Sequence, residues 1–136
     1  MPCPYFEPQR IAAAPQSSRA RLPLIHEYDG LCCAHSEAFA APSQMRFRYC
    51  NHGYSKGSCP NFPATDTRSA FRYASIRETS KTIELLCIEE QDYAPLRWHS
   101  VCYFFEEERL EPEIADACMR AQILAFCRSY LQRLPA

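Results

Sequence analysis

The chain has 136 residues, 47% of them hydrophobic and 23% charged, with a net charge of −1. This is the size and composition of one ordinary globular domain. It lacks both the basic run of a nucleic-acid footprint and the ~20-residue apolar stretch that spans a bilayer as a helix.

At the N-terminus, Pro2, Pro4, Glu7 and Pro8 stand where a signal peptide would carry basic and then apolar residues. That predicts a cytoplasmic protein in a reducing compartment, where thiols are buried, catalytic or metal-bound rather than paired. Eight of the eleven prolines lie at or before Pro63, as do all three glycines, Gly30, Gly53 and Gly57. Proline fixes φ and removes a donor, and glycine opens φ > 0. Residues 1–65 are therefore expected to be irregular, and so long an irregular segment needs something to order it. Within it, Arg46, Arg48, Lys56 and Arg68 alternate with Tyr49, Tyr54 and Phe62. They are read as a solvated loop over an aromatic floor.

From Ser69 the pattern becomes regular. Residues 71–76, 82–89 and 97–106 read as three strands, separated by polar turns at 78–81 and 91–95. Pro112 suits the first turn of a helix, Glu113 and Asp116 suit its N-terminal dipole, and Arg128 and Arg133 its C-terminal end. Ile114, Cys118, Ala121, Leu124, Ala125 and Leu131 recur at helical spacing and predict an amphipathic helix over 112–133. The expected fold is α+β, one domain over 1–136. An irregular Cys/Pro/Gly-rich N-terminal metal-binding segment (1–65) packs on a three-stranded antiparallel β-meander covered by one C-terminal helix (69–136).

The nine cysteines fall into two groups. Cys87, Cys102, Cys118 and Cys127 sit in regular elements and read as core, because a free cysteine packs as a small hydrophobe. Cys3, Cys32, Cys33, Cys50 and Cys59 all lie in the turn-rich half, near Tyr5, Phe6, Tyr49, Tyr54 and Phe62, which could keep water off a bound centre. A metal centre needs four ligands, and Cys3, Cys33, Cys50 and Cys59 are the expected set. Cys32, His35 and His52 are alternates, since adjacent side chains rarely both reach one ion.

Zn²⁺ is the usual partner of four cysteines in a small domain, but its structural sites typically use close Cys pairs with two to four residues between. None occurs here. The eight residues between Cys50 and Cys59 match the start of a CCCH zinc finger, yet Thr65 and Ser69 stand where its third cysteine and its histidine belong. A [4Fe–4S] cluster accepts thiolates from well-separated loops, and the Cys3-Pro4 and Cys59-Pro60 pairs match the Cys-Pro that ends the bacterial ferredoxin run. The scattered arrangement is similar, at motif level, to clusters in nucleic-acid enzymes such as the primase large subunit. The balance goes to iron–sulfur, with zinc as the alternative.

The reading is a small iron–sulfur protein for electron transfer or redox sensing, an accessory subunit with a protein partner and no catalytic residues of its own. The alternative is a zinc-stapled interaction module. A thiol enzyme, with Cys32 or Cys33 as nucleophile and His26 or His35 as base, is the weakest reading. No phosphate-cradling loop, H-E-x-x-H or nucleophile elbow is present.

Overall fold

The computed structural model describes residues 1–13, 22–52, 59–63 and 68–133. Two antiparallel sheets share one helix. The first sheet, in order β1-β2-β3, comprises β1 (Phe6–Ile11), β2 (Tyr28–Cys32) and β3 (Phe39–Ala40). The second, in order β4-β5-β6-β7, comprises β4 (Ala70–Glu78), β5 (Thr82–Gln91), β6 (Ala94–Phe104) and β7 (Arg109–Glu111). Between the sheets in sequence, a short helix α1 (Ser43–Met45) runs directly into a π-helical segment, Arg46–Asn51. The last element is α2 (Ala117–Arg133).

The expected single three-stranded meander under one helix is therefore corrected. The larger sheet has a fourth strand, β7, and the N-terminal half builds a sheet of its own. Proline-rich sequence hid that sheet. Pro8 lies in β1, which is an edge strand, where a missing amide donor is tolerated. The register also shifts between Pro8 and Arg10, the kind of irregularity an edge absorbs. β2 crosses β1 closely at Gly30, where an added Cβ would lie 2.2 Å from the Glu7 carbonyl oxygen and 2.8 Å from the Pro8 Cα. Only glycine fits there.

In the larger sheet, alternation places Ile83, Leu85 and Cys87 of β5 and Val101 and Tyr103 of β6 on the buried face. Cys87 stands opposite His99 and Cys102 opposite Glu84, so the two cysteines do not face each other across the hairpin. The opposite face leaves Trp98 69% exposed, and Ile76, at the register shift of β4, is 51% exposed. β7 covers only Cys102–Phe104, so the stretch from Ala94 to Val101 is an edge that meets no other described strand.

Helix α2 begins at Ala117 rather than at 112, because Asp116 caps it. The Asp116 Oδ1 accepts the Met119 amide at 2.8 Å, and its carbonyl accepts the Arg120 amide at 2.9 Å. The helix is also not the one-faced cover that its periodicity suggested. Residues Gln122 to Cys127 are buried without a break, the mark of a helix enclosed on several sides. Ile123, Leu124 and Phe126 join Ile83, Leu85, Val101 and Tyr103 in a core that also takes in Phe6, Leu24 and Tyr28 from the N-terminal half. Polar bonds join the same layers. The Tyr28 hydroxyl donates to the Ala125 carbonyl at 2.8 Å and lies 2.6 Å from Ser129 Oγ. The Gln122 amide donates to the carbonyls of Cys3 and Phe6, both at 2.8 Å, and its oxygen accepts the Tyr73 hydroxyl at 2.9 Å.

Two outcomes follow from this packing. Gly30→Ala is expected to destabilise the protein by roughly 1–3 kcal/mol, as overpacking does. It should lower the urea midpoint at unchanged slope, and a wild-type midpoint would refute the close crossing. Burial also raises the Tyr73 phenol well above its ordinary 10.0 and pushes the Cys87 and Cys127 thiols from 9.0 up to about 12. These groups stay protonated when folded and ionise earlier when unfolded. Their contribution is therefore intact below about pH 9 and is lost as the pH climbs toward the folded values. Urea midpoints should fall steadily above about pH 9, and a flat alkaline profile would contradict this.

Candidate metal centre

Four of the nine cysteines line one cavity: Cys3, Cys32, Cys50 and Cys59. Each arrives on a different piece of chain. Cys3 precedes β1, and its amide donates to the Cys50 carbonyl at 3.1 Å, which sets these two residues side by side. Cys32 ends β2, opposite Phe6 of β1. Cys50 lies near the end of the π-helical segment and is buried. Cys59 opens a turn closed by the Phe62 amide donating to its carbonyl at 3.1 Å, with Pro60 at the position where a fixed φ favours such a turn.

The remaining wall is largely apolar: Tyr5, Phe39, Met45, Tyr49 and Phe62 contribute to it. The Tyr5 and Phe62 rings meet edge to face at 5.5 Å. The cavity that these residues enclose is small, about 20 Å³.

Electrostatics tie the four thiols together. Burial first, with smaller contributions from Cys50, Cys32 and Cys59, pushes Cys3 from 9.0 up to about 12, against a lowering hydrogen bond from the Tyr5 backbone. Burial likewise pushes Cys50 up to about 12, with Cys32 and Cys59 adding to the rise and Arg46 opposing it. Cys32 is raised by burial and by Cys59 and Cys33, against a hydrogen bond from the Ala34 backbone. All six pairs among the four are thus close enough for one thiolate to oppose the other. Two of the sulfurs also accept an amide hydrogen bond from two residues further along the chain, an interaction that favours the thiolate. Among the described residues, no three His, Cys, Asp or Glu side chains are close enough to grip one metal ion.

The π-helical segment is held in place by two buried devices. Asn51, 1% exposed, uses its side chain like a neighbouring strand. It accepts the Tyr28 amide at 2.8 Å and donates to the carbonyls of Tyr28 and Arg46 at 3.0 and 2.9 Å. Arg46 donates to Glu27 at 2.6 Å and also bonds Asp29. With 8% of its surface exposed, Arg46 is not the solvated loop residue its sequence context suggested. Both devices fasten this segment to β2 and its approach, so they fix Cys50 relative to Cys32.

The expected set shares Cys3, Cys50 and Cys59 with this cavity. The structure puts the alternate Cys32 there, and Cys33 is not among the residues that line the cavity. Successive strand residues point to opposite sides, and Cys32 shares the side of Tyr28. Reading 28–33 as a strand would have separated the two. Comparison with protein-family models, curated proteins and solved structures finds no match. His35 and His52 are both exposed, and the His52 ring packs against Phe47 at 5.8 Å rather than against a thiol. Gly53, Tyr54, Lys56 and Gly57, which the sequence set between Cys50 and Cys59, lie outside the described residues. The Arg46–Glu27 pair and the Asn51 anchor had no sequence signal beyond ordinary polar residues in a turn-rich stretch. Of the four cysteines expected in the core, Cys87, Cys118 and Cys127 are buried and Cys102 is half-buried.

Arg46→Ala is expected to cost about 3–5 kcal/mol, because it leaves the Glu27 carboxylate buried without that guanidinium. Arg46→Met together with Glu27→Met should recover most of the loss in urea denaturation. If the double variant is no more stable than the single one, the pair is not what anchors the segment.

Proposed function

We propose that Cys3, Cys32, Cys50 and Cys59 hold a [4Fe–4S] cluster, and that the protein carries electrons or senses redox state with a protein partner. The observation behind this reading is the mutual reach of all four thiols around one largely apolar cavity. Four neutral thiols gain little from being gathered there. Thiolates would repel one another and resist burial, unless a cationic centre compensates them.

Four ligands drawn from four separate pieces of chain suit a cluster better than a single ion. Tetrahedral zinc with Zn–S bonds near 2.3 Å draws its sulfurs to about 3.8 Å apart. In a cluster each thiolate meets a different iron, which suits sulfurs that feel one another's charge without three of them closing on one point. Amide donors toward Cys3 and Cys32 suit it as well, since hydrogen bonds to cluster sulfurs are a lever on reduction potential. The apolar wall would limit water at the centre. A bound cluster would supply one-electron chemistry, while the chain contributes the four ligands, the amide donors and the exclusion of solvent.

Nine free thiols agree with a cytoplasmic, reducing setting. Among the described residues no helix is long and apolar enough to cross a membrane.

Protein purified without oxygen is expected to be brown and to contain about four iron and four sulfide per chain. Cys32→Ser should lose most of that iron and Cys33→Ser should keep it. A colourless protein holding one tightly bound zinc would overturn the cluster reading, and iron lost in Cys33→Ser alone would overturn the ligand set.

A further inference from the structure

The larger sheet ends in an unfinished row. Strand β7 pairs with Cys102–Phe104 and stops at Glu111, where Pro112, which has no amide to donate, follows. Beyond that point, from Ala94 to Val101, β6 pairs with β5 alone among the described strands. Every residue from Ala94 to Ser100 is exposed except His99, which is half-buried. Both faces of the sheet are thus open at this end. A register shift opposite Glu89 and Glu90, beside Pro95, leaves residues 97–101 as the regular part of the edge.

The side chains of this edge sort by face. Arg97 and His99 stand opposite Glu89 and Cys87 on one face, and Trp98 and Ser100 stand opposite Ile88 and Leu86 on the other. Trp98 prolongs the apolar row of half-buried Ile88 out to the open edge. Tyr93, Leu96 and Trp98 are three of the five exposed large hydrophobic residues among those described, and they fall within one short stretch. Exposed aromatic and apolar side chains gathered in this way mark an interaction surface. The charge is one-sided as well. The stretch from Ala94 to Val101 holds two bases, Arg97 and His99, and no acid. The Arg97 guanidinium reaches Glu89 at 3.3 Å, yet its side chain is 67% exposed and Glu89 also accepts the Ser69 hydroxyl, so a second carboxylate has room to approach from outside.

We propose that this edge takes up an extended strand of a partner protein in which acidic and apolar side chains alternate. Main-chain hydrogen bonds would prolong the row that β7 begins, as in other cases of strand addition. The period of two places the acidic side chains beside Arg97 and His99 and the apolar ones against Trp98. A second copy of this chain is a poorer occupant. Two such edges bring only bases to each other, and with Trp98 opposite the other copy's Trp98, Arg97 would face the other copy's His99. No residue of this edge lines the cysteine cavity, so the site stands whatever that cavity holds.

Trp98 is the chain's one tryptophan, so its emission reports on the edge directly. The whole protein is titrated with an end-blocked peptide of alternating glutamate and valine, four of each. A saturable blue shift is expected as the added strand takes water from the indole. The matching peptide of lysine and valine should bind more weakly, by roughly fivefold at low ionic strength, and added salt should narrow the difference. Methylating the backbone amides of the acidic peptide should abolish the shift, because the ladder needs them. Arg97→Glu should reverse the preference between the two peptides, and Arg97→Ala should remove it. The absence of a saturable shift at millimolar peptide, equal binding of the two peptides, or undiminished binding of the methylated one would each overturn the proposal. A shift that follows protein concentration alone, with a dimer in sedimentation, would overturn it too and give the edge to a second copy.

Discussion

One buried amide, that of Gln122, holds the two halves of this protein in register. From the middle of α2 it reaches the Tyr73 hydroxyl on β4 and the carbonyls of Cys3 and Phe6 at the start of the chain. A side-chain amide in a dry interior must be satisfied, since each missing bond carries a desolvation penalty of about 1–3 kcal/mol. Few helix rotations or strand positions would satisfy all three contacts at once. The position of Cys3 is thereby coupled to the packing of the larger sheet, although that sheet contributes nothing to the cavity.

The rest of the cavity is assembled on the same plan, by buried polar groups rather than by long regular elements. Asn51 borrows the hydrogen-bonding edge of Tyr28, and Arg46 spans Glu27 and Asp29. Each joins the π-helical segment to β2 or its approach, across stretches too short to build much apolar core. A buried ion pair is weak evidence for net stability, because the cost of desolvating two charges offsets much of their attraction. This arrangement suits the role proposed for the segment, holding Cys50 near the other three cysteines of the cavity. It is also consistent with a fold in which metal binding supplies part of the folding energy.

Much of this arrangement was legible in the sequence. The contrast between cysteines in turn-rich sequence and cysteines in regular elements separated Cys3, Cys50 and Cys59 from Cys87 and Cys127. Alternation found the three long strands of the larger sheet, because each has a buried face of period two. What escaped has identifiable causes. β1 was hidden by Pro8, tolerable only because an edge strand needs half its amides. β7 is three residues long and has no periodicity to detect. The start of α2 was set too early because Pro112 is a good first-turn residue, whereas the bonds that begin the helix come from Asp116. The choice between Cys32 and Cys33 rested on which face of a short strand each occupies, and a segment read as irregular offers no faces.

The uncovered length of β6 carries a consequence of its own. From Ala94 to Val101 its outer margin presents backbone donors and acceptors with no described strand beside them, next to exposed Leu96 and Trp98. Such a margin is a template for another extended chain. Pro95 removes one donor from it and Arg97 places a charge on it, both common natural guards against intermolecular sheet growth. On this edge the two side chains are the guards, and replacing either with a β-branched residue would remove one barrier to strand addition between copies.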